Sequence, residues 1–208
     1  MAKRFSCELI SWQNVYRLCR KVSLTILDQD QDYNFIVAIG RGGYVPARII
    51  SDYLDISDLT SFKIEHYIKG AEKQEQAIIR FPLNADIRGK KVLLVDDVSD
   101  TGDTLKLASD YLLEHKPGIL STVVMHHKQS STFTPDYWGK RVVKWRWIIY
   151  PWALMEDLTG FLIGMKPAPK DMEMAQEQLY KLYGIRPPKH ILEDAWMLYQ
   201  RSLSSAQR

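Results

Sequence analysis

Apolar residues along this chain of 208 residues recur in two alternating rhythms. Behind Ser11, residues Trp12, Val15, Cys19, Val22 and Ile26 fall three or four positions apart and predict a capped amphipathic helix. Phe35–Ile39 is a short unbroken apolar run that stops at Gly-Arg-Gly-Gly, the pattern of a strand covered on both faces. Helical spacing returns over Tyr44–Leu54, and Ser61–Ile68 alternates as a strand does. Lys91–Val95 predicts a further buried strand, Asp103–His115 a helix, and Ile119–Met125 another strand. Between Lys69 and Gln76 the segment KGAEKQEQ has no period, and a mobile loop is expected from about Tyr67 to Ile78.

Strands separated by helices predict an α/β fold, a mainly parallel twisted sheet flanked by helices on both faces. After Met155 the rhythm changes. KPAPK breaks the chain, and Asp171–Tyr183 and His190–Leu203 predict two amphipathic helices separated by Gly184 and RPPK. The expected organisation is a domain over 1–154 and a C-terminal helical extension over 155–208. Two short helices bury too little alone, so the extension is expected to pack on the main domain or on another subunit as an interface element.

The net charge of +3 comes from dispersed Lys and Arg with no long run, which argues against a nucleic-acid partner. Cys7 and Cys19 lack metal-ligand spacing and fit a reducing, cytoplasmic setting. The most apolar stretch, IIYPWALMEDLTGFLIGM, carries Pro151, Glu156 and Asp157, so no membrane span is expected.

The chemistry concentrates in VLLVDDVSDTGDTL, Val92–Leu105, where an apolar strand runs directly into aspartates. In an open parallel sheet, ligands bind beyond the carboxyl ends of the strands. Two adjacent carboxylates there offer acceptors to a pair of hydroxyls or to a divalent cation. The following Thr-Gly-Asp-Thr leads into a helix whose first N–H groups favour a phosphate. A sugar phosphate satisfies both halves.

This string resembles the phosphoribosyl diphosphate (PRPP) signature of the type I phosphoribosyltransferases, and its Asp-Thr-Gly ending resembles the members acting on 6-oxopurines. Ser11-Trp12, AIGRGGYVPA at 38–47, His127-Lys128 and WIIYPW at 147–152 are similar to the xanthine-guanine group in particular. The likeness runs over about residues 11–153 and stops short of the helical extension. It implies that 1–154 is a phosphoribosyltransferase domain including a base-binding hood, with a homo-oligomer as the usual state.

The resemblance assigns roles residue by residue. Asp96 and Asp97 would hold the ribose hydroxyls and, directly or through water, Mg²⁺. Asp100, Thr101, Gly102, Asp103 and Thr104 would wrap the 5′-phosphate. Asp103 departs from the Gly or Lys of many relatives and is expected to contribute only its N–H. Asp100 would face N7 of the purine as the proton acceptor. Arg41, Gly42 and Gly43 would seat pyrophosphate, with the Gly40–Arg41 bond a position where a cis peptide occurs. Lys128 would donate to O6, Trp147 would stack on the base, and the backbone at Ile148 would meet its opposite edge. Tyr67 would belong to a closing lid, while His66, His126 and His127 are read as structural. Ala153 stands where bacterial relatives carry Asp.

Two functions fit these expectations. One is an enzyme converting PRPP and a purine base to a purine nucleoside monophosphate and pyrophosphate. The other is a non-catalytic PRPP- or nucleotide-sensing regulator on the same fold.

Overall fold

The computed structural model describes residues 5–29, 31–69 and 74–206. Its elements in chain order are β1 (Cys7–Leu9), α1 (Trp12–Leu27), β2 (Phe35–Gly40), α2 (Tyr44–Tyr53), β3 (Leu59–Lys69), β4 (Gln74–Phe81), β5 (Lys91–Ser99), α3 (Asp103–Glu114), β6 (Ile119–Lys128), β7 (Tyr137–Val142), β8 (Trp147–Ile149), α4 (Leu154–Gly164), α5 (Met172–Tyr183) and α6 (Lys189–Ala206). The chain divides into two compact units, one of residues 13–144 and one of residues 1–12 with 145–208. The boundary expected at 154–155 therefore falls inside the second of these.

In the unit of residues 13–144, six strands form one sheet in the order β4-β3-β2-β5-β6-β7, parallel except for the antiparallel β3–β4 edge. Helices cover both faces. α3 lays Leu105, Ala108 and Leu112 into a core with Phe35, Val37, Ile39, Val92, Leu94 and Val124. Met125, the next residue of β6, points the other way and meets Cys19 of α1 at 3.6 Å. The sequence places the strands because a layer covered on both sides must be apolar at every position, and β2 is buried from end to end.

The sheet also creates a crevice. β2 leads through α2 to β3 on one side, whereas β5 leads through α3 to β6 on the other, so the order reverses between β2 and β5. β2 pairs with β5 only as far as Ala38 and Val95. β6 keeps pairing with β5 to Ser99 and His127. The strand expected to end at Val95 thus continues four residues further, because a ladder is held by backbone bonds that need no apolar side chains. Asp96 and Asp97 lie inside that extension rather than in a loop after it.

The expected loop at 67–78 is corrected as well. β3 and β4 pair through Tyr67↔Gln76 and Lys69↔Gln74. Backbone pairing sets this register, while the polar segment KGAEKQEQ carries no hydrophobic alternation and so reads as loop. Residues 70–73 and the side chain of Tyr67 lie outside the described residues.

The other unit joins β1 and β8 as a parallel pair, Cys7↔Trp147 to Leu9↔Ile149, and packs it with helices. Its core holds Cys7, Ile149, Leu158, Leu162, Met165, Ala175, Leu179, Tyr183, Ile185, Leu192, Ala195 and Tyr199. The two C-terminal helices expected from sequence share this core with α4 and the β1–β8 ribbon. Asp171 caps α5 by accepting from the Met174 N–H at 2.8 Å, and Gly184 ends it at φ 73°. No helix among the described residues is long and apolar enough to cross a membrane.

Truncation before Lys166 removes seven of those twelve buried residues and leaves Leu158, Leu162 and Met165 without cover. The shortened chain is expected to aggregate, seen as a rise in light-scattering mass. A soluble product of unchanged oligomer size would show that the first part of this unit holds together without α5 and α6.

Candidate active site

The turn after β5 is shaped by Gly102, which has φ 99° just ahead of α3. A Cβ there would sit 2.6 Å from the Phe133 nitrogen, so only glycine suits both the backbone angle and the space. The loop is held from behind by residues 130–133. The Thr101 carbonyl accepts from the Thr132 N–H at 2.8 Å and from its hydroxyl at 2.9 Å. Ser130 donates to the Asp100 carbonyl at 3.4 Å, and the Ser99 and Ser131 hydroxyls meet at 2.7 Å. Sequence reasoning missed this support, since QSSTF carries no signal beyond that of an ordinary polar turn.

The Asp103 carboxylate accepts from the Thr101 hydroxyl at 2.8 Å. Its charge is thereby tied to the loop's own side chain at the first turn of α3.

Asp96 is buried, and the Asp97 N–H donates to its Oδ1 at 2.9 Å. Burial first, then the charge of Asp97, pushes the Asp96 carboxyl well above its usual range, against the pull of that N–H bond. Across the crevice lies the turn after β2. A Cβ on Gly42 would stand 2.5 Å from Asp97 Oδ2, so the missing side chain of Gly42 is what admits that carboxylate. A Cβ on Gly43 would collide with the Val95 carbonyl. The Gly40–Arg41 peptide is cis.

At the far end of β6, Lys128 is 2% exposed, and its ammonium lies 2.5 Å from Oδ2 of Asp100, which is 34% exposed. The two residues expected at the same edge of a base are therefore in direct contact. His126 and His127 are buried beside them on the strand, and no group of metal-ligating side chains with three or more His, Cys, Asp or Glu occurs among the described residues.

In the second unit Trp147 and Ile148 lie on β8. The indole of Trp147 is 38% exposed, and its Nε1 donates to Asp157 Oδ1 at 3.0 Å. Burial first pushes the Asp157 carboxyl up to about 6, with a further push from Glu156 and an opposing pull from the indole N–H. Ala153 closes the 150–153 turn, donating to the Tyr150 carbonyl at 3.0 Å, and caps α4 without a side-chain bond.

A strand that carries two carboxylates into a phosphate-type turn, facing a second glycine turn across the reversal point of a parallel sheet, is the framework of a phosphoribosyltransferase. The chain belongs to that family: it matches the phosphoribosyl transferase domain over residues 7–157. Among curated proteins it is similar to the xanthine-guanine phosphoribosyltransferase of Idiomarina loihiensis, 29% identical over 73% of this chain and 92% of that protein. A second relative, the xanthine-guanine phosphoribosyltransferase of Cereibacter sphaeroides, is 32% identical over 70% of this chain and 86% of its own length. Among solved structures it resembles a purine phosphoribosyltransferase from Pyrococcus horikoshii, with a TM-score of 0.63, 28% identity, and coverage of 70% of this chain and 93% of that one. The family match ends before α5 and α6.

Proposed function

We propose that the protein is a 6-oxopurine phosphoribosyltransferase, joining N9 of guanine, hypoxanthine or xanthine to C1′ of PRPP and releasing pyrophosphate and the nucleoside 5′-monophosphate. The observation that carries this reading is the Lys128–Asp100 pair at the end of β5 and β6. A donor beside an acceptor matches the O6 and N7–H edge of a 6-oxopurine. Adenine presents an amino group where Lys128 needs an acceptor. In the reaction, the N9 lone pair forms the bond to C1′ as the bond from C1′ to the diphosphate oxygen breaks, and the N7 proton passes to Asp100. A sensor would need no such pair.

The resemblance supports the other roles. The N–H groups of residues 100–104 would bind the 5′-phosphate, and Arg41, Gly42 and Gly43 the pyrophosphate. Asp96 and Asp97 would meet the ribose hydroxyls and Mg²⁺. The donor set suits that ion: two adjacent carboxylates, one buried against its neighbour's charge, gain from a cation that completes its shell with water and phosphate oxygens. When bound, Mg²⁺ supplies charge neutralisation for pyrophosphate. Trp147 and the Ile148 backbone would meet the base, and Tyr67 would join the lid. The free thiols Cys7 and Cys19 support a cytoplasmic setting, and a homo-oligomer is the assembly this reading carries.

A spectrophotometric screen of PRPP and Mg²⁺ with each purine base tests the proposal. Guanine, hypoxanthine or xanthine is expected to be consumed and adenine left. Faster turnover of adenine, or none with any base, overturns it.

A further inference from the structure

The middle of β3, level with the end of β2, carries charges that the roles above leave unused. In the β2–β3 ladder Gly40 lies opposite Lys63, which sets Lys63 beside the turn that carries Arg41. Lys63 and Glu65 are two positions apart on one strand and share a face, and the Lys63 ammonium donates to the Glu65 carboxylate in a short contact. Arg80 of β4 brings its Nε within 3.7 Å of the other carboxylate oxygen. Both cations also lie over the Phe81 ring, Lys63 Nζ 5.6 Å and Arg80 Cζ 5.9 Å from its centroid.

The hydrogen bond from Lys63 first, then the charges of Lys63, Arg80 and Arg41, holds the Glu65 carboxyl below its usual range. Three cations thus act on one carboxylate in the strand beside the glycine turn. Ion pairs this exposed add little to stability, so folding alone does not account for gathering them there. A polyanion bound at the turn does. Glu65 then serves as the counter-ion that holds Lys63 beside the end of β2 and limits repulsion among the cations before the anion arrives.

We propose that Lys63, positioned by Glu65 and backed by Arg80, is a further binding residue for the diphosphate of the substrate and for the pyrophosphate that leaves. The inference rests on the preceding reading of the Arg41 turn and adds to it a residue outside the PRPP signature and the glycine turn. Lys63 is 27% exposed, near enough to solvent to be replaced without disturbing the core, and partly shielded so that its charge keeps its effect.

The test is calorimetry on the full chain with inorganic pyrophosphate and Mg²⁺, and with GMP as a ligand that carries the 5′-phosphate but no diphosphate. Lys63→Met is expected to weaken pyrophosphate binding roughly tenfold, the usual scale of one charge-assisted contact, with GMP affinity unchanged. Lys63→Arg should restore most of the loss. Glu65→Gln keeps an oxygen acceptor for Lys63 while removing the negative charge, and should tighten pyrophosphate binding. Unchanged pyrophosphate affinity in Lys63→Met, or an equal loss for GMP, overturns the assignment while leaving the proposed function intact if the wild-type chain still consumes PRPP and a base. A wild-type chain that binds neither ligand and turns over no base overturns both.

Discussion

Asp100→Asn is expected to lower kcat for the 6-oxopurine reaction by roughly 10²–10⁴-fold, the usual contribution of a positioned general base. The amide keeps the shape of the turn but cannot take the N7 proton. The structure adds a second consequence. Lys128 is almost wholly buried with its ammonium 2.5 Å from this carboxylate, and a neutral amide withdraws that counter-charge. Losing one partner of a buried pair costs about 3–5 kcal/mol. Asp100 is a third exposed, so solvent offsets part of that and the cost falls nearer about 1–3 kcal/mol. The two effects separate by experiment: thermal melting reads the stability loss, and single-turnover kinetics well below the melting point reads the chemistry. Normal single-turnover rates in a variant that melts early would make Asp100 a partner that keeps Lys128 in place, with no role as a base.

The parts of the fold that were legible in sequence are those where burial acts on most residues of a strand. Phe35–Ile39, Lys91–Val95 and Ile119–Met125 lie in the middle of a covered sheet, and their apolar runs say so. The illegible strands are edges or stubs. β7 alternates only loosely along its length, β4 places Gln-Glu-Gln in its first half, and β1 and β8 are three residues each. In such strands backbone pairing sets the structure, and side-chain composition records little of it. The same reasoning explains why the end of β5 was misplaced at Val95.

The site divides in the same way. Asp96 to Thr104 could be found because ribose and phosphate recognition sits in one contiguous stretch. The contact between Lys128 and Asp100 joins residues 28 apart; resemblance set both at one edge of a base without indicating that they touch. Ser131, Thr132 and Phe133 act through backbone groups of the phosphate-type turn, and hydroxyl residues in a loop announce no particular target. Lys63 and Glu65 were hidden because alternating charges on a strand read as a solvated face. Their meaning came from the register that sets Lys63 opposite Gly40.

Asp96→Asn combined with Asp97→Asn is expected to abolish Mg²⁺-dependent PRPP binding while leaving the fold at least as stable. Each carboxylate stands to make charge-assisted contacts of about 1.5–3 kcal/mol, so losing both removes roughly 3–6 kcal/mol, or about 10²–10⁴-fold in affinity. Stability moves the other way. Burial and the neighbouring Asp97 charge raise the Asp96 carboxyl in the folded chain. A raised carboxyl favours the folded state only while it holds its proton, and that advantage is lost as pH rises from the ordinary carboxylate range through the raised value. Above that value the ionised pair opposes folding. Asparagine at 96 keeps an oxygen for the Asp97 N–H bond, now 2.9 Å long, and carries no charge. The double variant should therefore melt at or above the wild-type temperature at pH 8, with the gap narrowing as pH falls and Asp96 takes up its proton. Calorimetry with PRPP and Mg²⁺, alongside melting curves across that range, reads both effects. Binding retained at wild-type strength would remove these residues from the ribose and metal site. A lower melting temperature at pH 8 would mean that the carboxylates are held by contacts strong enough to outweigh their repulsion.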